Sequence, residues 1–329
     1  MVGPTEPGAA FWVRAPGVGE IRPGPRPEPD AGQVRVRTLR SGISRGTETL
    51  VFTGSVPPSQ YQAMRAPFQE GDFPGPVKYG YLNVGVVESG PADLRGRTVF
   101  CLYPHQREYV VPASAVTPVP DGVPPARAVL AGTVETAVNA CWDARPLVGD
   151  RITVVGAGMV GGSLARVLAG LPGARVTLVD LNPARAELAA ALGVDFAAPE
   201  RAPDGQDLVF HTSASSDGLA LALRLLRPEG EVIDLSWYGT TPVRLPLGEA
   251  FHSGRLSIRA SQVGAVAPAR RGHRSMGERL ALALELLRDE AFDALLSGES
   301  TFEDLPWVLP ALVGGQLPAL CHVITYGER

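Results

Sequence analysis

Apolar positions follow two different rhythms along this chain. In residues 1–128 they come in short alternating runs, at 33–38, 84–88 and 97–102, separated by Pro- and Gly-rich turns. Alternation of that kind predicts half-buried strands. A Pro/Gly-rich stretch over 16–32 precedes the first of these runs. From Ala128 onward, solid apolar runs alternate with helix-like segments. The pattern predicts a helix over 131–144 closed by Gly149-Asp150, a strand over 152–155, a helix over 160–170 and a strand over 175–180. A helix from Pro183 to Leu192, a strand over 207–211, a helix over 219–226 and strands over 231–235 and 257–260 follow. Strands alternating with helices predict a parallel sheet covered on both faces. The tail shows one amphipathic helix, 277–288, with Leu280, Leu282, Leu284 and Leu287 among its apolar positions, and a strand-like 321–326. No internal repeat is visible.

The turn between strand 152–155 and the next helix reads Gly156-Ala157-Gly158-Met159-Val160-Gly161, a G-x-G-x-x-G pattern, and the following strand ends in Asp180. In this strand–turn–helix setting the pattern points to a dinucleotide. Gly156 permits a tight turn, Gly158 lets the backbone approach a pyrophosphate, and Gly161 lets helix and strand pack closely. The helix N-terminus around Met159 and Val160 offers free N–H groups to phosphates. Asp180 stands where an acid accepts hydrogen bonds from a ribose 2′-hydroxyl and repels a 2′-phosphate. NAD(H) is therefore expected over NADP(H). Arg185 lies close enough to soften that preference, although in the following helix it reads as a surface charge.

Composition narrows the setting. The chain has 329 residues, 45% hydrophobic and 19% charged, which suits a soluble globular protein with two domains. A net charge of −4 gives no basic field for nucleic acid. No apolar run is long enough to span a membrane, and no secretory signal is visible at the N-terminus. Cys101, Cys141 and Cys321 are scattered and odd in number, which argues for a reducing cytoplasm. Lys78 is the single lysine among 30 Lys and Arg residues. A lysine retained in so arginine-biased a chain draws attention, because a lysine pKa shifts readily and that of arginine does not.

Several landmarks together resemble the medium-chain dehydrogenase/reductase family over nearly the whole chain. They are Gly42-Ile43-Ser44-Arg45-Gly46-Thr47-Glu48, Gly80-Tyr81-Leu82-Asn83-Val84-Gly85, Glu108-Tyr109-Val110-Val111-Pro112, the 156–161 turn with Asp180, and Ser253-Gly254-Arg255. The first landmark is most similar to the bacteriochlorophyllide a dehydrogenase branch. The resemblance implies an α/β chain with a GroES-like β-rich catalytic domain over 1–128 and 265–329, and a doubly wound Rossmann domain over 129–264. It also implies a homodimer and a small-molecule substrate. Zinc-dependent members carry a cysteine after Gly-Ile and a histidine and glutamate in the second landmark. Here those positions are Ser44, Tyr81 and Leu82, a further ligand would fall near Ala131, and a four-cysteine lobe is absent. Hydroxyls and alkyl groups do not replace thiolate, imidazole and carboxylate on zinc. No catalytic or structural zinc is expected.

Without a metal, the substrate oxygen needs another proton partner. Tyr81 occupies the former histidine position, and Lys78 lies three residues earlier in the sequence. A cation beside a phenol lowers its pKa, as in the tyrosine–lysine chemistry of short-chain dehydrogenases, provided that the chain turns at Gly80. The alternative is that Tyr81 only fills the vacated cavity. Ser44, Thr47 and Glu48 are the next candidates, for a substrate hydroxyl contact or a proton relay. Glu135 is a candidate for the same cleft. Ser236, Trp237 and Ser261 follow the later strands, where the resemblance places the nicotinamide end. His105, His211 and His252 are acid–base candidates by residue type, but they show no metal-ligand spacing, and a lone histidine at a strand end reads as a polar edge residue. Three functions remain open: a zinc-independent NAD-dependent alcohol/carbonyl dehydrogenase, a quinone or enoyl reductase, and a non-catalytic dinucleotide-binding protein.

Overall fold

The computed structural model describes residues 7–327. The chain forms two compact units. One comprises the residues up to Gly132 together with those from Leu296 onward, and the other is Thr133–Leu295. The fold class is α/β, with largely antiparallel sheets in the first unit and a parallel sheet in the second.

In the second unit six parallel strands lie side by side in the order Asp195–Ala197, Arg175–Val179, Arg151–Val155, Gln206–His211, Leu226–Asp234, Ser257–Ala260. This is the doubly wound order. Ile152, Thr153, Val154 and Val155 are all buried, as expected of a central strand covered on both faces. The order of connection reverses beside Arg151–Val155, whose neighbours are Arg175–Val179 and Gln206–His211. Ligands of such sheets bind at this reversal, outside the carboxyl ends of the strands.

The first unit is organised around the long strand Gln33–Ser44. It pairs antiparallel with Asn83–Ser89, with Glu108–Pro112 and with the returning strand Cys321–Thr325. In that register Ser44 faces Cys321, and Ser41 faces both Ile324 and Asn83. A smaller sheet carries Ala10–Ala15, Val18–Arg22, Glu70–Gly71 and Val77–Lys78. Ser44 ends the long strand and stands at the N-cap of the helix Arg45–Phe52, which brings Thr47 and Glu48 into its first turn.

The second border between the units falls later than the sequence predicts. Residues 265–295 stand with the dinucleotide-type unit, not with the β-rich one. The cause is burial. Arg279, on the helix Met276–Leu286, is 1% exposed and bonded to Glu135 and Asn139 of the helix Ala131–Ala144. Leu295 packs over Gly162, where an added Cβ would stand 2.5 Å from its Cδ2. The helix Leu305–Val313 is also absent from the sequence pattern, because Pro310 interrupts its interior and Trp307 leaves an exposed apolar surface. Among the described residues no helix is long and apolar enough to cross a membrane.

Candidate active site

The turn at 156–161 is built as its glycines require. Gly156 has a φ of +108°, and a Cβ there would lie 2.8 Å from Thr212 Oγ1. A Cβ on Gly161 would collide with the carbonyl oxygen of Gly156, so helix and turn meet only because both residues are glycine. Around Gly158 the space is open: a methyl group added there would meet nothing within 4 Å. Gly158 caps the helix Met159–Ala169, in which Met159 is buried and Val160 half-buried. Asp180 braces the turn: one carboxylate oxygen accepts the Ala157 N–H at 2.7 Å and the other accepts the Asn182 N–H at 2.8 Å. Each oxygen retains a second lone pair for a hydroxyl. Arg185 begins the next helix, Arg185–Leu192, and is half-buried.

At the carboxyl ends of the two following strands a polar cluster closes around His211, which is fully buried. Its Nδ1 lies 3.0 Å from Asp234 Oδ1 and its Nε2 lies 2.7 Å from Ser213 Oγ. Tyr238 donates its hydroxyl to Asp234 Oδ2 at 2.9 Å. Ser236 Oγ accepts the Ala214 N–H and lies 3.1 Å from His211 Nδ1. Burial pushes the Asp234 carboxyl upward, but hydrogen bonds from His211, the Ser236 N–H and Tyr238 outweigh it and hold the pKa below the usual value. Of the three predicted nicotinamide-end residues, Ser236 belongs to this cluster. Ser261 instead donates to Asp143 at 2.7 Å, and Trp237 is half-buried just beyond the strand end. The sequence marks His211 only as an edge residue, because its pairing with Asp234 is visible only across the sheet.

In the first unit, Tyr81 donates to Ser44 Oγ at 2.5 Å, with the Thr47 hydroxyl near enough to help lower the phenol's pKa. Glu48 is buried and bridges two groups. Its Oε1 accepts the Ser44 N–H at 2.7 Å and its Oε2 lies 3.0 Å from His105 Nε2. Ser44, Thr47, Glu48 and Tyr81 therefore form one constellation. Burial raises the Tyr81 phenol above its ordinary range; the hydrogen bonds to Ser44 and Thr47 pull it back, and the charge of Glu48 pushes it further up. The net shift is upward, so the group is a phenol at neutral pH, able to donate a hydrogen bond.

Lys78 does not join this group. Gly80, with φ of +132°, does turn the chain, but the lysine ammonium goes to Glu70 Oε1 at 2.5 Å, Gln106 Oε1 at 2.6 Å and the Tyr103 hydroxyl at 3.3 Å. The tyrosine–lysine dyad expected from the sequence is thus replaced by a tyrosine–serine–threonine set. Burial lowers the Lys78 pKa, against the opposing pull of Glu70. Lys78→Met is expected to cost about 1–3 kcal/mol of stability, because the buried Gln106 Oε1 loses its short ammonium donor and keeps only the 3.4 Å contact from Tyr103, with NADH affinity unchanged. Urea unfolding and a fluorescence titration check the two parts. Glu135, the other cleft candidate, is committed to Arg279 at 3.0 Å, and His252 is exposed.

The zinc question turns on donor chemistry. Ser44 and Tyr81 bond each other, and Leu82 packs its methyl groups against Gly42 and Gly132. Among the described residues no group of three or more His, Cys, Asp or Glu is placed to hold a metal ion. Burial pushes the thiol of Cys321, opposite Ser44, up to about 12, so it is not a ready thiolate. These residues do not fit a zinc ion.

No known family profile matches this sequence, and no curated protein does. Solved structures do match the fold. A short chain alcohol dehydrogenase from Escherichia coli CFT073, complexed with NADH, superposes with a TM-score of 0.77 at 17% identity, covering 97% of this chain and 99% of that one. The 2R,3R-butanediol dehydrogenase of Bacillus subtilis gives 0.78 at 16% identity, covering 97% and 99%. Galactitol-1-phosphate dehydrogenase of Escherichia coli gives 0.77 at 15% identity, covering 96% and 99%. The chain has the fold of these dehydrogenases, a GroES-like β unit with a Rossmann unit.

Proposed function

We propose that this protein is a zinc-independent, NAD-dependent oxidoreductase that moves a hydride between nicotinamide and the alcohol or carbonyl carbon of a small molecule. The observation that carries the reading is the hydroxyl set of Tyr81, Ser44 and Thr47, backed by the buried Glu48, with Ser44 and Tyr81 at the positions that carry metal ligands in the zinc-dependent members of the family the sequence resembles. The glycine turn and its open space at Gly158 support a bound dinucleotide. Gly156, Gly158 and Gly161 with the N–H groups at Met159 and Val160 would hold the pyrophosphate, Asp180 the ribose, and Ser236 the nicotinamide end. When bound, NAD supplies or accepts the hydride.

The chain's own groups manage the proton. A protonated Tyr81 donates to a carbonyl oxygen as charge develops there, which is what zinc would otherwise neutralise. Ser44 and Thr47 fix the direction of the phenol, and Glu48 fixes Ser44 through its backbone N–H. Asp180 supports NADH over NADPH by repelling a 2′-phosphate.

Titration of the purified protein with NADH and NADPH, followed by nicotinamide fluorescence and paired with metal analysis, tests this reading. Binding of NADH at least tenfold tighter than NADPH, without stoichiometric zinc, is the expected result. A preference for NADPH, or a tightly held zinc, would overturn it.

A further inference from the structure

The His211 cluster fixes which way a hydroxyl beside the glycine turn can bond. Three oxygens surround His211 Nδ1: Asp234 Oδ1 at 3.0 Å, Ser236 Oγ at 3.1 Å and the Tyr238 hydroxyl at 3.2 Å. An ionised carboxylate only accepts, and Tyr238 already gives its hydrogen to Asp234 Oδ2. Nδ1 therefore carries the ring proton. Nε2 is then an acceptor, so the Ser213 hydroxyl, 2.7 Å away, donates to it. With its hydrogen spent, Ser213 Oγ accepts from the Ser215 hydroxyl at 2.9 Å. A hydroxyl oxygen has two lone pairs, so one on Ser213 stays free. His211 is fully buried, whereas Ser213 in front of it is exposed.

The place of this lone pair matters. A Cβ on Gly218 would collide with Ser213 Oγ and stand 2.9 Å from His211 Nε2, so glycine is what lets the two side chains meet. Ser213 also borders the 156–161 turn: a Cβ on Gly156 would lie 2.9 Å from the Ser213 backbone nitrogen. Val155, the last residue of the central strand, is level with Val179 on one side and with His211 on the other. Asp180 directly follows Val179, and Ser213 stands two residues after His211. The acid and the serine thus flank the turn at similar height, two strand spacings or about 10 Å apart. A dinucleotide has two riboses, one on each side of its pyrophosphate. With the pyrophosphate at the turn and one ribose at Asp180, the second ribose extends toward Ser213. Its hydroxyls are donors, and an acceptor is what Ser213 offers.

We propose that Ser213, held as an acceptor by His211 and Asp234, binds a hydroxyl of the second, nicotinamide-bearing ribose of the dinucleotide. Ser213 is the binding residue, and His211 and Asp234 are positioning residues that act through it. The assignment rests on the dinucleotide reading of the site and adds a side chain that reads the sugar on the side away from Asp180. A phosphate in the same place, with no hydrogen to give, would face the lone pair and be disfavoured.

Calorimetric titration of the full chain with ADP, ADP-ribose and NADH tests the contact without a substrate. ADP carries only the first ribose, and ADP-ribose carries both but lacks nicotinamide. Ser213→Ala should weaken ADP-ribose and NADH about 3- to 10-fold, the effect of one neutral hydrogen bond, and leave ADP within about twofold. The ADP arm also shows that the variant has kept its turn. Unchanged affinity for all three ligands overturns the contact, as does an equal loss for all three, which is what a merely structural role would give. A loss confined to NADH overturns it too, because the contact would then be to the nicotinamide ring. Nitrogen-15 NMR of the histidine-labelled wild type reads the positioning directly. His211 is expected as the Nδ1–H tautomer at neutral pH, and a ring protonated at Nε2 overturns the assignment of Ser213 as acceptor. If the wild type binds none of the three ligands, the dinucleotide reading itself fails and the Ser213 contact with it.

Discussion

Arg279→Met is expected to lower the unfolding free energy by about 3–5 kcal/mol, the usual result of removing one partner from a buried ion pair. Arg279 is 1% exposed and spends its guanidinium on four groups. Nε meets Glu135 Oε1 at 3.0 Å, one terminal nitrogen meets Asn139 Oδ1 at 2.5 Å and the Ala265 carbonyl at 3.1 Å, and the other meets the Val263 carbonyl at 2.5 Å. Methionine matches the stem but takes the guanidinium donor from a carboxylate and two carbonyls, and leaves the Asn139 amide oxygen only the Ala267 N–H. Burial already pushes the Glu135 carboxyl up, and Arg279 is what opposes that shift. In the variant the Glu135 carboxyl is therefore pushed further up, which eases its protonation and limits the loss. Arg279→Lys should recover little, because an ammonium cannot reproduce the planar fork. The double variant Arg279→Met/Glu135→Leu should be milder than Arg279→Met alone, since no charge is then stranded. Urea unfolding with a lower midpoint and an unchanged m-value is the expected record. A midpoint shift worth under about 1 kcal/mol would mean that water reaches these groups.

Tyr81→Phe is expected to reduce kcat for carbonyl reduction about 100-fold, roughly 2.7 kcal/mol of transition-state stabilisation, in line with the loss of one preorganised donor. The ring stays, with its edge-to-face contact to Tyr79 at 6.2 Å, so packing changes little. Only the hydroxyl that reaches Ser44 and Thr47 is removed. The dissociation constant for NADH should remain within about twofold, because the cradle at 156–161 lies in the other unit. Ser44→Ala should cost about tenfold, as it misdirects the phenol without deleting it. Steady-state kinetics with NADH and a reduced carbonyl, beside a binding titration, check both statements. Full turnover in Tyr81→Phe would return the tyrosine to a packing role.

The two units differ in how much of each is legible in the chain. In the dinucleotide-type unit the helix Ala131–Ala144 and the strand Ser257–Ala260 have the predicted bounds, and the other core strands shift by a few residues at their ends. Central parallel strands are unbroken apolar runs, and the glycines mark the turn by steric need, so local sequence is enough there. In the β-rich unit the strands Ala10–Ala15 and Val18–Arg22 have no clear signature in the pattern. They are short, lie beside a Pro/Gly-rich stretch, and gain their order from pairing.

For the candidate site, residue type is legible and partnership is not. Ser44, Thr47, Glu48 and Tyr81 stand out in the chain because they replace or adjoin expected metal ligands. Lys78 stands out as a lone lysine, yet its partners are Glu70, Gln106 and Tyr103. His105 is visible in the chain only as one of three lone histidines, since its partner Glu48 is 57 positions away.

The sequence by itself determined the alternation of strands and helices, the glycine turn with its acid, and the absence of a zinc donor set at Ser44, Tyr81 and Leu82. These depend on spacing within a few residues and on what a side chain can chemically donate. Only the tertiary structure decided that Arg279 ties residues 265–295 to the second unit, that Tyr81 is paired with Ser44 and not Lys78, and that a histidine stands behind Glu48. Each of those depends on which distant strands lie side by side, and a buried polar group takes whatever partner that pairing brings within about 3 Å.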